Sequence, residues 1–137
     1  VAALIFNKEG KLLVTRRAIE PDIGKIDLPG GFVDPGETAE EALKRELQEE
    51  LGISEVKMAY LTSGSNEYPF SGLTVFTTDL LFRVDIDSLA VLKPADDISS
   101  IEWVDPDTLD PEEIPAPSIR HFIKEIASRE RYHSFKN

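Results

Sequence analysis

A helix with one apolar face and one carboxylate-rich face is written into residues 31–53, GFVDPGETAEEALKRELQEELGI. Asp34-Pro35-Gly36 supplies turn geometry before it. Thr38 followed by Glu41 reads as a capping box, in which hydroxyl and carboxylate satisfy each other's backbone N–H groups. Ala, Leu, Glu, Lys, Arg and Gln fill the next turns, all strong helix formers. Gly52 stands where a left-handed residue would stop the helix. Leu43, Leu47 and Leu51 recur every fourth residue and form an apolar stripe. Glu46, Glu49 and Glu50 are three and four apart, so their carboxylates project from an adjacent face.

Carboxylates gathered in this way repel one another. Without a counter-charge the arrangement costs stability and raises at least one pKa. Hard divalent cations such as Mg²⁺ take carboxylate oxygen and are usually shared with substrate phosphates. Arg45 is four residues before Glu49, and Glu37 lies just ahead of the helix. An arginine there can hold a ligand carboxylate in position. An exposed acidic helix face is more often simply solvated, and a lone ExxEE would be read that way.

The signal is longer than that. The stretch reads G-x5-E-x7-R-E-U-x-E-E-x-G-U, where U is a bulky apolar residue. Gly31, Glu37, Arg45, Glu46, Leu47, Glu49, Glu50, Gly52 and Ile53 fill every specified position. This resembles the Nudix box of the Nudix hydrolases. The resemblance implies one or more Mg²⁺ ions, with Mn²⁺ as the alternative, held by Glu46, Glu49 and Glu50. It implies Arg45 and Glu37 as residues that orient those ligands, and Gly31 as the point where the backbone bends close to the site.

The whole chain has 137 residues, enough for one domain with a hydrophobic core. Its net charge of −11 argues against non-specific binding to nucleic acid. An acidic site also repels phosphate esters unless cations intervene, so the charge itself points to metal dependence. No cysteine is present, which excludes disulfides and a Cys-based zinc site within this chain. No run is long or apolar enough to span a membrane and no signal peptide is visible, so a cytoplasmic location is expected. The chain opens on Val1 inside a strand-like run without Met, and the native protein is expected to begin earlier.

Residues 1–6 and 11–17 read as strands joined by the turn cluster Asn7-Lys8-Glu9-Gly10. Arg16 and Arg17 end the second. They read as surface cations, with Arg17 as the alternative contact for a substrate phosphate. A short strand is expected at 26–28, and others at 55–62, 73–84 and 101–104. The run 73–84 suits a central strand. Ser118 to Arg129 reads as a terminal amphipathic helix with Ile119, Phe122, Ile123 and Ile126 on its apolar face. His121 and His133 lack partners at metal-binding spacing and read as surface or packing residues, and the basic tail beyond Ser128 reads as solvated.

Residues 63–72, SGSNEYPFSG, read as a polar connection that still carries Tyr68 and Phe70. Those aromatics either fold back on the core or offer a face on which a base can stack. Ser65 to Ser71 is similar to a degenerate form of the SQPWPFP motif of the NADH pyrophosphatase branch, with Ser65, Pro69 and Phe70 matching. A proline at this distance beyond the box also resembles the ADP-ribose pyrophosphatase branch. In many Nudix enzymes a Glu about six residues before a Trp strand adds a carboxylate from outside the box. Asp97 holds that position before Trp103, with Asp96 and Glu102 as competitors.

Strands, one internal helix, further strands and a terminal helix give an α/β or α+β layered domain with a mixed sheet. The resemblance sharpens this to the Nudix α/β/α sandwich, over a single domain 1–137. The function expected is metal-dependent hydrolysis of a nucleoside diphosphate linked to another group, of NADH or ADP-ribose type. Glu46, Glu49, Glu50 and Asp97 would bind metal. Glu50 or Glu46 would act as base. Gly31, Arg17, Tyr68 and Phe70 would contact substrate. One alternative is a nucleoside triphosphate pyrophosphatase. Another is a non-catalytic sensor of ADP-ribose or NAD. Small nucleotides are the expected partners, and a homodimer is an assembly that the resemblance allows.

Overall fold

In a computed structural model, residues 1–87 and 90–131 are described, with Phe70 described in its backbone alone. Strands Ala2–Leu4 (β1), Leu12–Arg17 (β2) and Ile26–Asp27 (β3) precede the helix Ala39–Leu51 (α1). Val56–Phe70 (β4), Leu73–Ile86 (β5) and Ile98–Val104 (β6) follow. Two three-stranded sheets form, in the orders β1-β5-β4 and β3-β2-β6. The β1–β5 pair is parallel and the others are antiparallel. The expected central strand is β5, between β1 and β4.

Alternation along the strands sorts side chains into two cores. Ala3, Ile5, Leu13, Phe82 and Val84 receive Leu43, Leu47 and Leu51 of α1 on one face. Ala2, Leu4, Leu12, Val14 and Leu81 receive Ile119, Phe122, Ile123 and Ile126 on the other. The result is the expected layering of helix, sheet and helix. The last helical stretch is not one regular helix: Pro117–His121 (α2) passes through a π-helical turn, Phe122–Ile126, into Ala127–Glu130 (α3). His121 is exposed beside the Phe122 ring. His133 and the tail from residue 132 lie outside the described residues.

The expected loop at 63–72 is corrected. Residues 63–70 continue β4, paired with β5 out to Phe70 opposite Leu73. Ser71 and Gly72, at φ +50° and +79°, make the whole connection. Both residues at positive φ give the tight turn whose twist suits a two-stranded ribbon. The ribbon reaches well past β1, which pairs with β5 only at 81–83. The polar character that suggested a loop belongs to a strand with solvent on its outer face.

Leu61 sits at a bulge, where Tyr60 pairs with Phe82 but Thr62 pairs with Leu81. Before it, Val56 and Met58 face α1. After it, even-numbered residues share the face of Leu81 and Asp79. Gly64 lies on that face, and a Cβ there would be 3.1 Å from the Phe122 ring. The lack of a side chain lets the terminal helical stretch seat against the ribbon.

Candidate active site

The capping box forms as expected. Thr38 Oγ1 accepts from Glu41 N–H at 3.1 Å, and Glu41 accepts from Thr38 N–H at 2.8 Å. Gly52 closes α1 in the left-handed conformation at φ +71°. With Leu43, Leu47 and Leu51 buried, the glutamate face turns toward the segment 29–31. That segment runs beside β1: Ala3 N–H donates to Pro29 at 2.9 Å and Gly31 N–H to Val1 at 3.0 Å.

Two glycines there bring backbone against carboxylate. Gly30 N–H donates to Glu50 Oε1 at 2.7 Å. A Cβ on Gly31 would fall 2.4 Å from Cδ of Glu46, a distance no side chain tolerates. A Cβ on Gly30 would lie 2.0 Å from the Val1 carbonyl.

Arg45 is the hub of the acidic face. Its Nε and Nη2 grip both oxygens of Glu37, at 2.7 and 2.9 Å. Its Nη1 donates to Glu46 at 2.8 Å and to Glu49 at 3.2 Å. A further bond from Nη2 to the Phe32 carbonyl, 3.0 Å, ties the loop to the helix. The Arg45 guanidinium and the Asp34 N–H hold Glu37 down at a pKa of about 2.

Glu50 is in the opposite situation. Burial, against the opposing Gly30 N–H bond, and the nearby carboxylates of Glu46, Asp27 and Asp97 push it up to about 8. Asp97 comes close because the loop before β6 is fastened to the end of α1: Lys93 N–H donates to Leu51 at 2.8 Å and Ala95 N–H to Glu50 at 2.9 Å. Asp27 was not singled out from the sequence. It is a carboxylate in the short strand β3, raised to about 6 by burial, although it accepts from Leu28 N–H. A charged residue between Ile26 and Leu28 was the available signal.

The structure therefore brings Glu46, Glu50 and Asp97 into one electrostatic neighbourhood, and adds Asp27. Glu49 shares Arg45 with Glu46, at 3.2 Å against 2.8 Å. Of the competitors, Glu102 is occupied by Arg16 at 2.6 Å. Arg17 gives its Nε to the Pro21 carbonyl at 2.6 Å, and it lies close enough to Asp27 to oppose that residue's rise. Among the described residues, no group of three His, Cys, Asp or Glu side chains is drawn close enough to hold a metal ion as it stands. The chemistry of the donor set nonetheless fits a hard cation: the carboxylates of Glu46, Asp27 and Asp97 all raise the largely buried Glu50.

A cleft of about 450 Å³ adjoins this region, lined by Asp27 but not by Glu46, Glu50 or Asp97. Gly30, Gly31 and Phe32 line one side of it, and Asn66, Tyr68 and Asp79 of the ribbon line another. Tyr68 lines the cleft. The Phe70 side chain lies outside the described residues. Asn66 and Asp79 were missed, because only the pairing of β4 with β5 shows which of their alternating residues look inward.

A family model for the NUDIX domain matches residues 1–126. An ADP-ribose pyrophosphatase of Methanocaldococcus jannaschii is 36% identical over 102 residues, 74% of this chain and 58% of that protein. An 8-oxo-dGTP diphosphatase of Haemophilus influenzae is 40% identical over 76 residues, 55% of this chain and 56% of that protein. The chain thus spans a little over half the length of these curated relatives. The crystal structure of the MutT protein from Methanosarcina mazei Go1 matches with a TM-score of 0.66 at 28% identity, covering 96% of this chain and 93% of that one.

Proposed function

The chain belongs to the NUDIX family, and from that premise we propose that it is a pyrophosphohydrolase acting on an adenosine diphosphate joined to a second group, of ADP-ribose or NADH type. The observation that carries this reading is the apposition of Glu46 and Glu50 to the Gly30–Gly31 backbone, which itself lines the cleft. A diphosphate lying along that backbone is next to both carboxylates.

Glu46, Glu50 and Asp97 would hold a divalent cation, Mg²⁺ in the first instance, which would neutralise the diphosphate and the charge that develops on it. The protein's own residues do the rest. Arg45 fixes Oε1 of Glu46, and Gly30 fixes Oε1 of Glu50, so each carboxylate keeps one oxygen available. One of the two takes the proton from a water that attacks phosphorus, and the bridging P–O bond breaks. Glu37, ionised down to about pH 2, keeps Arg45 in place throughout the working range. Tyr68 offers a ring to the nucleoside.

The relative named as an ADP-ribose pyrophosphatase supports this substrate class. A second reading, release of pyrophosphate from a nucleoside triphosphate, is favoured by the relative named as an 8-oxo-dGTP diphosphatase. A substrate panel with Mg²⁺ separates them. AMP formed from ADP-ribose or NADH is the expected result, and Glu46→Gln and Glu50→Gln should each reduce it by about a thousandfold or more with the fold retained. Turnover of triphosphates alone would move the second reading ahead. Undiminished activity in both variants would overturn the site.

A further inference from the structure

The side chains around the cleft carry charge of one sign. Asp27 and Asp79 line it, and no lysine, arginine or histidine does. The Val1 amino group feels Asp79, but it donates to the Gly31 carbonyl at 2.9 Å. Arg17 acts on Asp27 from outside the lining. A phosphate is ordinarily met by arginine, lysine or a metal ion. The ribbon wall of the cleft offers it a carboxylate instead.

That carboxylate is held in place. Asp79 stands on β5 directly opposite Gly64 of β4. Because Gly64 has no side chain, Ser118 of α2 comes close over the pair: a Cβ on Gly64 would lie 3.3 Å from the Ser118 Cβ. The buried Ser118 hydroxyl donates to Asp79 Oδ2. Asp79 is thereby fixed on the same face of the ribbon as Tyr68, and both line the cleft. A ribose hydroxyl beside a fixed carboxylate can donate to it. A phosphate in that place sets like charge against like.

We propose that Asp79, positioned by Ser118, bars phosphorylated nucleosides from the cleft, so that the chain prefers substrates with free hydroxyls on the adenosine ribose to their 2′-phosphorylated counterparts. This assignment rests on the adenosine diphosphate reading above. It gives one element of substrate choice to the ribbon instead of the box helix.

The test compares NADH with NADPH, and ADP-ribose with its 2′-phosphate. In the native chain kcat/KM should favour the compound without the extra phosphate by about tenfold or more. The preference should shrink as ionic strength rises, which a purely steric rejection would not do. Asp79→Asn removes the charge and keeps an acceptor for the Ser118 hydroxyl, and it should narrow the ratio by about threefold or more. Ser118→Ala, which frees the carboxylate to turn away, should also narrow it. Equal turnover of both compounds by the native chain overturns the proposal, as does an undiminished ratio in Asp79→Asn or a ratio indifferent to salt. An undiminished ratio in Ser118→Ala overturns the positioning role of that residue. If none of these compounds is turned over, the reaction assigned above fails, and calorimetry with AMP and adenosine 2′,5′-bisphosphate decides the present point. Tighter AMP in the native chain, with the difference reduced in Asp79→Asn, upholds it. Equal affinities, or no binding of either, overturn it.

Discussion

Gly31 and Glu46 are in such close apposition that a single methyl group cannot be placed between them: a Cβ on Gly31 would lie 2.4, 2.5 and 2.6 Å from the three carboxyl atoms of Glu46. The clash falls on the far end of a side chain, so Gly31→Ala can fold if Glu46 moves. Moving it breaks the 2.8 Å bond from Arg45. Displacements of about 1 Å in a catalytic group cost on the order of a hundredfold in rate. Gly31→Ala should therefore lower kcat by about that factor while circular dichroism stays native. An unaltered kcat would mean that the position of Glu46 does not matter.

Arg45 spans Glu37, Glu46 and Glu49 with a planar fork. Lysine keeps the charge but is a point donor on a flexible stem. Arg45→Lys should reduce kcat by about 10- to 100-fold, the usual loss when a residue supporting a ligand is replaced. Steady-state kinetics at saturating Mg²⁺ measures this. Near-native kcat would show that charge alone suffices.

The pKa of Asp27 is raised from 3.8 to about 6 in the folded chain. Between those values the folded state keeps a proton that the unfolded chain has lost. Stability therefore falls as pH rises through that window and levels off above it. Asp27→Asn removes this loss and can still accept from Leu28 N–H through Oδ1. In chelator, denaturant melts of the two proteins should diverge from pH 4 to pH 6 in favour of the variant, by at most about 3 kcal/mol. A difference that does not vary with pH would contradict the raised value.

Thr38→Ala removes the hydroxyl that accepts from Glu41 N–H. Loss of such a cap costs about 1 kcal/mol, or about 4 °C in Tm for a domain of this size. Thermal melts test it. An unchanged Tm would mean that the first turn of α1 is held by other contacts.

The box helix was legible because everything that defines it is local. The cap, the leucine stripe and the glutamate spacing are properties of consecutive residues, and they pointed directly to Glu46 with Arg45 beside it, and to Glu50. Asp27, Asn66 and Asp79 were not legible, because pairing across the sheets brings them to the site. The ribbon posed a further difficulty. Even-numbered residues of β4 look continuous in the sequence, from Val56 through Tyr68. The bulge at Leu61 moves them from the α1 side of the sheet to the other. Alternation alone cannot reveal that change of face, and polarity misdirected the reading of 63–70 toward a loop.

That change of face has a consequence for how the protein can vary. Leu43, Leu47 and Leu51 of α1 bury against one side of the sheet, while Asn66 and Asp79 stand on the other. No hydrogen bond or ion pair joins them to Glu46 or Glu50 among the described residues. Substitutions at Asn66 and at Glu46, which share no bonded partner, should then combine nearly additively in free energy, whereas Asp79 acts on Asp27 and through it on Glu50. A lineage could then vary the ribbon while the box helix stays untouched.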